Sequence, residues 1–374
     1  MIVGMKIKKT IEKVPGGLMV VPLMLGALIN TIDQAHISFI ENMLKSLGAP
    51  QTESGHYELL RIGGFTEELF TTGALTLIAL FLFCAGSQMN FRVGGRALKK
   101  GILVTSAKYF SGVAIGYLFA LIFDPMHGIL GLSTMTIIAA MTNSNGGMYA
   151  ALTGQYGNRS DVGAVSILSL NDGPFMTMLA LGMLGTTFPA IAFISVLLPI
   201  ALGMLLGNLD EDIREFLSPG ETITIPFFSF ALGTGMNFGS FFNPEVVGAG
   251  LLLGFMTVII TGGAGILLLK LFREKSQIAG IAEGSTAGNA VATPEAVAVA
   301  AASSASAGSI TMEQAQQFEA LANLAAAQIS IAVLTTAVLC PIAVILWDKY
   351  QRSKGIDAKM EDVEINSIKK QNVV

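Results

Sequence analysis

The sequence predicts an all-helical membrane protein in which ten transmembrane helices form two inverted repeats of five, with discontinuous helices 4 and 9 crossing each other. Three observations support this fold class. Of the 374 residues, 52% are hydrophobic and only 13% are charged, with a mean hydropathy of +0.65, whereas soluble domains carry about 25% charged residues. Ten segments are apolar and long enough to cross the roughly 30 Å hydrocarbon core of a bilayer. Motifs of the first half recur in the second half.

The predicted spans are placed from the apolar segments and oriented from the charges between them. They are residues 14–32, 69–90, 99–123, 129–156, 162–186, 188–208, 221–240, 246–272, 278–308 and 321–347. When successive connections are assigned to alternate sides, one side, with both termini, holds 19 of the 22 Lys and Arg residues. Because cytoplasmic connections carry an excess of Lys and Arg, we expect both termini in the cytoplasm. The other side holds Lys45 and Arg61, and Lys108 lies inside the third span.

Two polar segments flank these spans. The connection at residues 33–68 is predicted to lie outside, and its apolar positions 40, 43, 44 and 47 follow helical spacing. It therefore contains either a short amphipathic helix on the outer surface or an ordinary loop. The tail after Lys349 is polar and has no apolar periodicity, so we expect it to be mobile and cytoplasmic.

The chemistry-bearing residues exclude several classes of protein. Cys84 and Cys340 lie in apolar segments, and no Cys/His spacing resembles a metal site. His36, His56 and His127 all fall in outside connections, so they cannot form a proton relay inside the membrane and surface roles are expected. No basic run is interleaved with aromatic residues, which argues against nucleic acid as a partner. We expect no cofactor, and a homodimer is one oligomeric state that the sequence leaves open.

An internal repeat sets the topology. FLFCAGSQMNF at 81–91 and FSFALGTGMNF at 228–238 share six identical residues and one Ser/Thr pair at identical spacing, and PLMLG at 22–26 lies against PIALG at 199–203. Since each copy has five spans, an odd number, the second copy enters the membrane in the opposite orientation, and a pseudo-two-fold axis lies in the membrane plane.

Each half contains one interrupted apolar segment. The first is TNSNGG at 142–147, and the second is NAVATPE at 289–295, which the repeat places beside the first at residues 291–295. In lipid, a broken helix is tolerated only where it is buried in protein or lines a wet cavity. If the two helices cross at their breaks, their second halves point positive dipole ends into one cavity, an arrangement that binds anions. Thr293 is expected as the N-cap of the second half-helix, with Pro294 at its first position.

The sequence resembles the bacterial 2-keto-3-deoxygluconate permeases nearly from end to end. The stretches that carry the resemblance are MKIKKTIEKVPGGLMVVPLMLGALINT (5–31), TNSNGGMYAALTGQYG (142–157), SLNDGPFMTM (169–178), LGNLDEDIREFL (206–217), IPFFSFALG (225–233) and AGNAVATPE (287–295). The connection at 33–68 and the tail after Lys349 look longer than the usual form of this family, and neither touches the candidate site.

The resemblance implies a fold similar to that of the bile-acid/sodium symporters, in the bacterial cytoplasmic membrane. Spans 1, 2, 6 and 7 would form a gate domain and the remaining six a core domain. In this sequence the gate comprises residues 1–92 and 188–241, the core residues 93–187 and 242–348, and the cytoplasmic tail residues 349–374. The implied function is uptake of a small sugar acid coupled to a cation, usually described as a proton.

The candidate substrate-binding residues lie at the breaks, in the repeated gate motif and in the third span. Side-chain oxygens and frayed backbone at the breaks suit sugar hydroxyls, although the same residues could merely re-cap the broken helices. Lys108 could counter a substrate carboxylate or an internal acid, or it could extend to the cytoplasmic surface. Gate-motif polar residues more often serve close helix packing. The candidates are Asn143, Ser144, Asn145, Gly146, Gly147, Thr293, Ser87, Gln88 and Lys108.

The candidate ion-coupling residues are Glu295 and Asp172, with Asn171 and Ser169 beside the latter. Both acids are expected at mid-depth, where ionisable groups are costly and mark ion pathways, whereas Glu283 and Glu245 should lie nearer span ends. A capping role for Glu295 and a structural role for Asp172 remain the alternatives. The coupling ion is expected to be H⁺, and Na⁺ would use the same oxygen atoms.

Two competing functions are weighed against this transporter. An intramembrane hydrolase could use Asp172 and Glu295 as a carboxylate pair, but no protease-type acid motif is present. It would alter its substrate chemically, whereas a transporter only relocates it. The second alternative keeps the fold and replaces the cargo by another small carboxylate, or the ion by Na⁺.

Overall fold

The computed structural model describes residues 6–14, 17–52, 54–89, 95–168, 171, 173–183 and 190–361. Within these ranges the chain is helical, contains no β-strand and shows one isolated bridge between Ser144 and Thr286. The all-helical class is therefore confirmed. Ser169 and Asp172, two of the predicted coupling residues, lie outside the described residues.

The first half contains eleven α-helices in its described residues. They are α1 Ile7–Ile11, α2 Gly17–Gln34, α3 Ser38–Ser46, α4 Gly64–Glu67, α5 Ala74–Gln88, α6 Gly95–Ile122, α7 Thr134–Thr142, α8 Gly146–Tyr156, α9 Arg159–Gly163, α10 Val165–Leu168 and α11 Pro174–Met183. A π-helical turn at Glu68–Thr72 joins α4 to α5, and a 3₁₀ turn at Ile129–Gly131 precedes α7. In the 33–68 connection, α3 decides between the two alternatives in favour of a short helix.

The second half contains fewer and longer helices in its described residues. They are α12 Ala190–Leu209, α13 Glu211–Gly233, α14 Pro244–Met256, α15 Gly262–Leu271, α16 Ile278–Ala282, α17 Thr293–Ser306 and α18 Met312–Ser353. A π-helical turn at Thr257–Thr261 makes α14 and α15 continuous. The 3₁₀ turns are Phe238–Phe242, Gly288–Ala292 and Ala358–Met360.

Four helical stretches in the described part of the chain are long and apolar enough to cross a membrane. They are Gly17–Gln34, Gly95–Ile122, Pro244–Leu271 and Met312–Ser353. A fifth is added if Gly64–Thr72 and Ala74–Gln88, which meet at 66°, form one bent span. The predicted spans at 129–156 and 278–308 are each divided into shorter helices, α7 with α8 and α16 with α17, so neither is one long helix. The protein is therefore a multi-pass membrane protein.

Close glycine contacts pack α2 against α13 and α5 against α12. Gly26 of α2 meets Gly233 of α13 so closely that a Cβ on either would overlap backbone atoms of the other helix. Gly86 of α5 and Gly203 of α12 approach their partner backbones in the same way. Small residues at such contacts let helix backbones approach in membranes. Helices α2, α5, α12 and α13 form one group. In a second group, α7 packs on α6, and α14 and α17 pack on α18.

The expectation of a mobile tail directly after Lys349 is wrong as far as Glu361. Helix α18 continues to Ser353, and the Glu361 carboxylate is 2% exposed. It accepts hydrogen bonds from Nζ of the fully buried Lys100 at 3.2 Å and from Nδ2 of Asn158 at 3.0 Å, and it forms an ion pair with Arg96 at 2.7 Å. The tail is ordered there because it supplies the countercharge for buried basic groups on α6, which local sequence pattern does not reveal.

Candidate functional site

The first helix break separates α7 from α8 at residues 143–145. The backbone of Asn143 is extended and that of Asn145 is also non-helical, and Asn145 is the N-cap of α8. Its Oδ1 accepts the backbone N–H of Met148 at 3.1 Å, which satisfies one of the donors that a helix start leaves open. The break falls where the sequence predicts it, because Asn and Gly favour a cap and a non-helical turn over a continued helix.

The second break is longer and begins earlier than predicted. Helix α16 ends at Ala282, a 3₁₀ turn occupies Gly288–Ala292, and α17 begins at Thr293. The N-cap residue is Ala292 and no side chain caps this helix, so the prediction of Thr293 as the cap is wrong. The residues that lie beside the first break are accordingly those around Thr286 and not 291–295 alone.

The two breaks meet at one point, the crossing, where hydrogen bonds join them. Ser144 and Thr286 form the antiparallel bridge, and Asn145 Nδ2 donates to the Thr286 carbonyl at 3.3 Å. Thr286 N–H donates to Thr336 Oγ1 of α18 at 3.1 Å, and Asn143 Nδ2 lies 3.5 Å from Thr293 Oγ1. Side chains therefore satisfy backbone groups that a continuous helix would have satisfied itself.

A third segment closes over the crossing from the α10–α11 side. Asn143 Oδ1 accepts the N–H of Gly173 at 2.9 Å, and Gly173 adopts φ +92°, a conformation that side chains disfavour. Asn171 is 1% exposed; its carbonyl accepts Ser144 N–H at 3.4 Å. Its side-chain Oδ1 accepts no hydrogen bond from the described residues. Asn171 thus presents a buried acceptor directly at the crossing.

Lys108 and Glu283 form a buried pair at the crossing. Both are at most 1% exposed, and Lys108 Nζ lies 3.6 Å from Glu283 Oε1. The ammonium also donates to the carbonyl of Glu283 at 2.9 Å and to the carbonyl of Ser285. The expectation that Glu283 lies near a span end is wrong, because α16 ends at the crossing itself. Neither carboxylate oxygen of Glu283 accepts a hydrogen bond from the described residues, although the Ser144 hydroxyl lies near this carboxylate.

A cavity of about 550 Å³ opens beside the crossing. The N-terminal residues of α8, Gly146 and Gly147, line it together with Ser144, Asn145 and Asn289. A Cβ at Gly147 would meet only Asn145 Oδ1, at 3.9 Å, so the backbone here faces open space. The first amides of a helix lack intrahelical partners and carry its positive dipole end. The cavity therefore offers an anion-binding wall next to polar side chains.

Both helix groups contribute to the cavity wall. Phe81 of α5, Ile225 of α13 and Met19 of α2 face the α8 terminus across it. Two carboxylates that sequence reasoning did not select, Glu12 and Glu221, also line it. Glu12 lies in the stretch 5–31 that carries the family resemblance and Glu221 lies outside every quoted stretch, and only the meeting of α1, α13 and the breaks brings the two to the same cavity.

The other predicted site residues lie away from this cavity. Ser87 donates to the Cys84 carbonyl at 2.6 Å, and Gln88 donates to Ser87 Oγ and to the Arg214 carbonyl. Glu295 is half-buried in the first turn of α17, within electrostatic range of Glu319 on α18. The structure thus brings Asn143, Ser144, Asn145, Gly146, Gly147, Asn171, Thr293 and Lys108 together at the crossing, and leaves Ser87 and Gln88 in helix packing.

Comparisons with known proteins agree on one family. Residues 8–54 and 52–353 match the sequence model described as 2-keto-3-deoxygluconate permease. The chain is 45% identical over 342 residues to 2-keto-3-deoxygluconate permease 1 of Salmonella typhimurium, which covers 90% of this chain and 94% of that protein. It is 36% identical over 356 residues to the 2-keto-3-deoxygluconate permease of Bacillus subtilis, covering 94% and 96% respectively. These relatives are named as permeases and not as enzymes.

Proposed function

The chain belongs to the 2-keto-3-deoxygluconate permease family, and from this premise we propose that it takes up 2-keto-3-deoxygluconate by symport with a cation. The observation that carries the proposal is the cavity of about 550 Å³ at the crossing of two broken helices. This volume lies within the range of about 300–1,000 Å³ that is typical of small-molecule sites. The relatives' names supply the substrate, and the cavity supplies a place for it.

The substrate's carboxylate binds the exposed amides of Gly146 and Gly147, where the dipole of α8 favours negative charge. Its hydroxyl groups then reach Ser144 and Asn145, which line the same wall. Glu12 and Glu221 also line the cavity, and their repulsion of a carboxylate favours a pose in which the anionic end binds at α8. This pose uses the first break more than the second.

The ten-helix inverted repeat is part of the proposal, with α7–α8 and α16–α17 as the crossing helices 4 and 9. Phe81 and Phe228, which occupy equivalent positions of the repeated motif, contact each other with ring centroids 5.7 Å apart. Equivalent residues that touch must lie near the two-fold axis. The glycine contacts follow the same symmetry, because Gly26 and Gly233 correspond in the repeat to Gly203 and Gly86. Such repeats are the common basis of alternating access.

Transport then proceeds as the core domain moves against the gate domain. The core comprises α6–α11 and α14–α18, and the gate comprises α2, α5, α12 and α13. With both termini cytoplasmic, the cavity beside Glu12 and Thr222 opens to the cytoplasm, so this conformation releases substrate inward. A return movement would expose the crossing to the outside.

The proposed coupling ion is H⁺. Lys108 already places a cation at the crossing, held by two backbone carbonyls and facing the Glu283 carboxylate. A Na⁺ ion would need those same oxygens, whereas a proton only has to change the charge of one group. Glu283 thus joins Glu295 and Asp172, with Asn171 and Ser169, as a candidate for the coupling site.

Reconstitution of the purified protein in liposomes tests both parts of the proposal. We expect counterflow of 2-keto-3-deoxygluconate, and accumulation that follows an imposed pH gradient with or without Na⁺. Glu283→Gln, Glu295→Gln and Asp172→Asn should separate the coupling group, because its amide variant keeps exchange and loses accumulation. Accumulation that requires Na⁺ would refute proton coupling, and preference for an unrelated carboxylate would refute the substrate.

A further inference from the structure

A second cluster of chemistry-bearing side chains lies far from the crossing, in the connection between α2 and α5. His36 follows the C-terminal end of α2, Glu41 lies in the first turn of α3, and His56 lies in the loop after α3. One ligand atom from each of the three residues lies within 4.8 Å of the others. Because the residues are separated by loops of irregular length, their spacing matches no metal-binding motif and the sequence gives no sign of the cluster.

The two imidazole rings share one carboxylate. His56 Nδ1 lies 2.7 Å from Glu41 Oε1, and His36 Nδ1 lies 3.9 Å from the same oxygen, too far for a hydrogen bond. His36 Nδ1 is buried and has no hydrogen-bond partner among the described residues. The rings stack with centroids 3.6 Å apart. The His36 nitrogen therefore lies beside a second histidine and a carboxylate without a partner of its own. A single electrophile bound between the three groups would supply that partner.

We propose that His36, His56 and Glu41 bind a divalent transition-metal ion, with Zn²⁺ the best fit. Two histidines and one carboxylate, with a water molecule in the fourth position, are an established donor set for zinc. Ligand atoms of a tetrahedral zinc site lie about 3.3–3.6 Å apart, given Zn–N and Zn–O bonds of about 2.0–2.2 Å. The distances of 2.7 Å and 3.9 Å bracket this range.

Small adjustments complete the site. The rings stand 19° from parallel, and they must tilt apart so that both Nδ1 lone pairs point at one ion. Both side chains are about one-third exposed, at 35% and 39%, which leaves room for the tilt. The proton that His56 shares with Glu41 moves to Nε2, where solvent accepts the N–H.

The connection that carries the ligands is itself anchored. Asp33 at the end of α2 accepts the N–H groups of Leu59 and Leu60 at 2.9 Å and 3.1 Å. Thr52 closes the turn that presents His56, through its backbone N–H to the His56 carbonyl at 2.9 Å. This pre-organisation reduces the entropy cost of bringing three ligands to one ion. Zinc would then fasten α3 and the following loop to the end of α2.

Zinc titration of the full-length protein in detergent tests the proposal, with an affinity tag that lacks histidine. We expect one Zn²⁺ per chain by calorimetry, and no binding of Mg²⁺ or Ca²⁺, which prefer sites of oxygen ligands. His36→Gln and His56→Gln should each weaken zinc binding by at least about tenfold, because each removes one of three protein ligands. His127→Gln is the matched control, since His127 is the remaining histidine and lies in another exposed loop.

A second readout separates a metal site from a stacked histidine pair. Trypsin has two cleavage sites in this connection, Lys45 on α3 and Arg61. Zinc should protect Lys45 in the parent protein and in His127→Gln, and should give no protection in His36→Gln. Absence of zinc binding by the parent, or equal binding by all variants, would overturn the proposal. Substrate counterflow in metal-free buffer should remain, which distinguishes failure of this site from failure of the transport function.

Discussion

The two helix breaks occupy equivalent places in the proposed repeat, but their surroundings differ. At the first, Gly146 and Gly147 border the large cavity. At the second, Ala292 and Thr293 border a cavity of about 10 Å³ that is closed by Phe81 and Phe228, barely the space that one water molecule needs. The two half-helices correspond in the sequence repeat but differ in this conformation. The positive end of α8 borders a cavity that can hold a solute, and that of α17 does not.

The breaks also differ in how they are held. An asparagine side chain caps α8, whereas no side chain caps α17. The second break is instead stabilised by another helix, because the ammonium of Lys108 on α6 donates hydrogen bonds to the carbonyls of Glu283 and Ser285. The first break is thus built from local polar residues, and the second depends on a charge contributed by another helix.

Removal of that charge should have the largest effect. Lys108→Met leaves the Glu283 carboxylate buried without a countercharge, a change that costs about 3–5 kcal/mol of stability. The double variant Lys108→Met with Glu283→Gln should recover much of this loss. The free energy of unfolding in detergent micelles measures both effects.

Lys99→Met on the same helix is the control for Lys108→Met. Lys99 pairs with Glu274 at 2.7 Å but is 44% exposed, so its loss should cost less than about 1 kcal/mol. Equal destabilisation by the two substitutions would show that Lys108 does not hold the second break.

The second prediction tests the open side of the first break. Gly147→Val places methyl groups in the cavity without a backbone clash, because a Cβ there has only Asn145 Oδ1 within 4 Å. Substrate affinity should fall at least about tenfold, or about 1.4 kcal/mol. Gly154→Val on the same helix has open space around its Cβ and does not line the cavity. It should leave affinity unchanged in an equilibrium binding assay, and a similar loss in both variants would remove α8 from the substrate site.

The difference between the breaks also explains what the sequence could predict. Asn143, Asn145 and Gly146 each carry a local preference against helix, so the first break was placed from the residue types alone. The second break starts directly after Ala282, where Gly284, Ser285 and Thr286 also disfavour helix, whereas the predicted interruption begins only at Asn289. Its start was therefore misplaced, and Thr293 was wrongly expected to cap α17.

Local sequence pattern does not predict contacts between distant segments of the chain. Glu283 is expected near a span end because it lies close to the start of the predicted span 278–308, yet its partner Lys108 lies 175 residues earlier. Glu361 was assigned to a mobile tail because its neighbours are polar, yet Lys100 and Arg96 bury it. In both cases the position is decided by a countercharge on α6, which no periodicity in the vicinity of the acid encodes.

The third prediction concerns the cap of α8. Asn145→Ala removes the acceptor for Met148 N–H and the bond to the Thr286 carbonyl. Loss of an N-cap costs about 1 kcal/mol of stability, and the altered break should also weaken substrate binding. Asn243→Ala is the matched control, because Asn243 caps α14 in the same manner away from the cavity. Thermal unfolding should report similar losses for both, whereas substrate binding should fall only for Asn145→Ala.

The smallest effect is expected at the equivalent start of α17. Thr293 is fully buried, but its hydroxyl caps nothing, and its contact with Asn143 Nδ2 is at 3.5 Å, the limit of a hydrogen bond. Thr293→Val should therefore cost no more than about 0.5 kcal/mol, the low end for a single hydrogen bond. Equilibrium binding of substrate should be unchanged, because Thr293 lines only the small cavity and not the large one. A loss of affinity equal to that of Asn145→Ala would show that both half-helices hold the substrate at once. The contrast between the two breaks would then belong to this conformation's packing and not to the binding site.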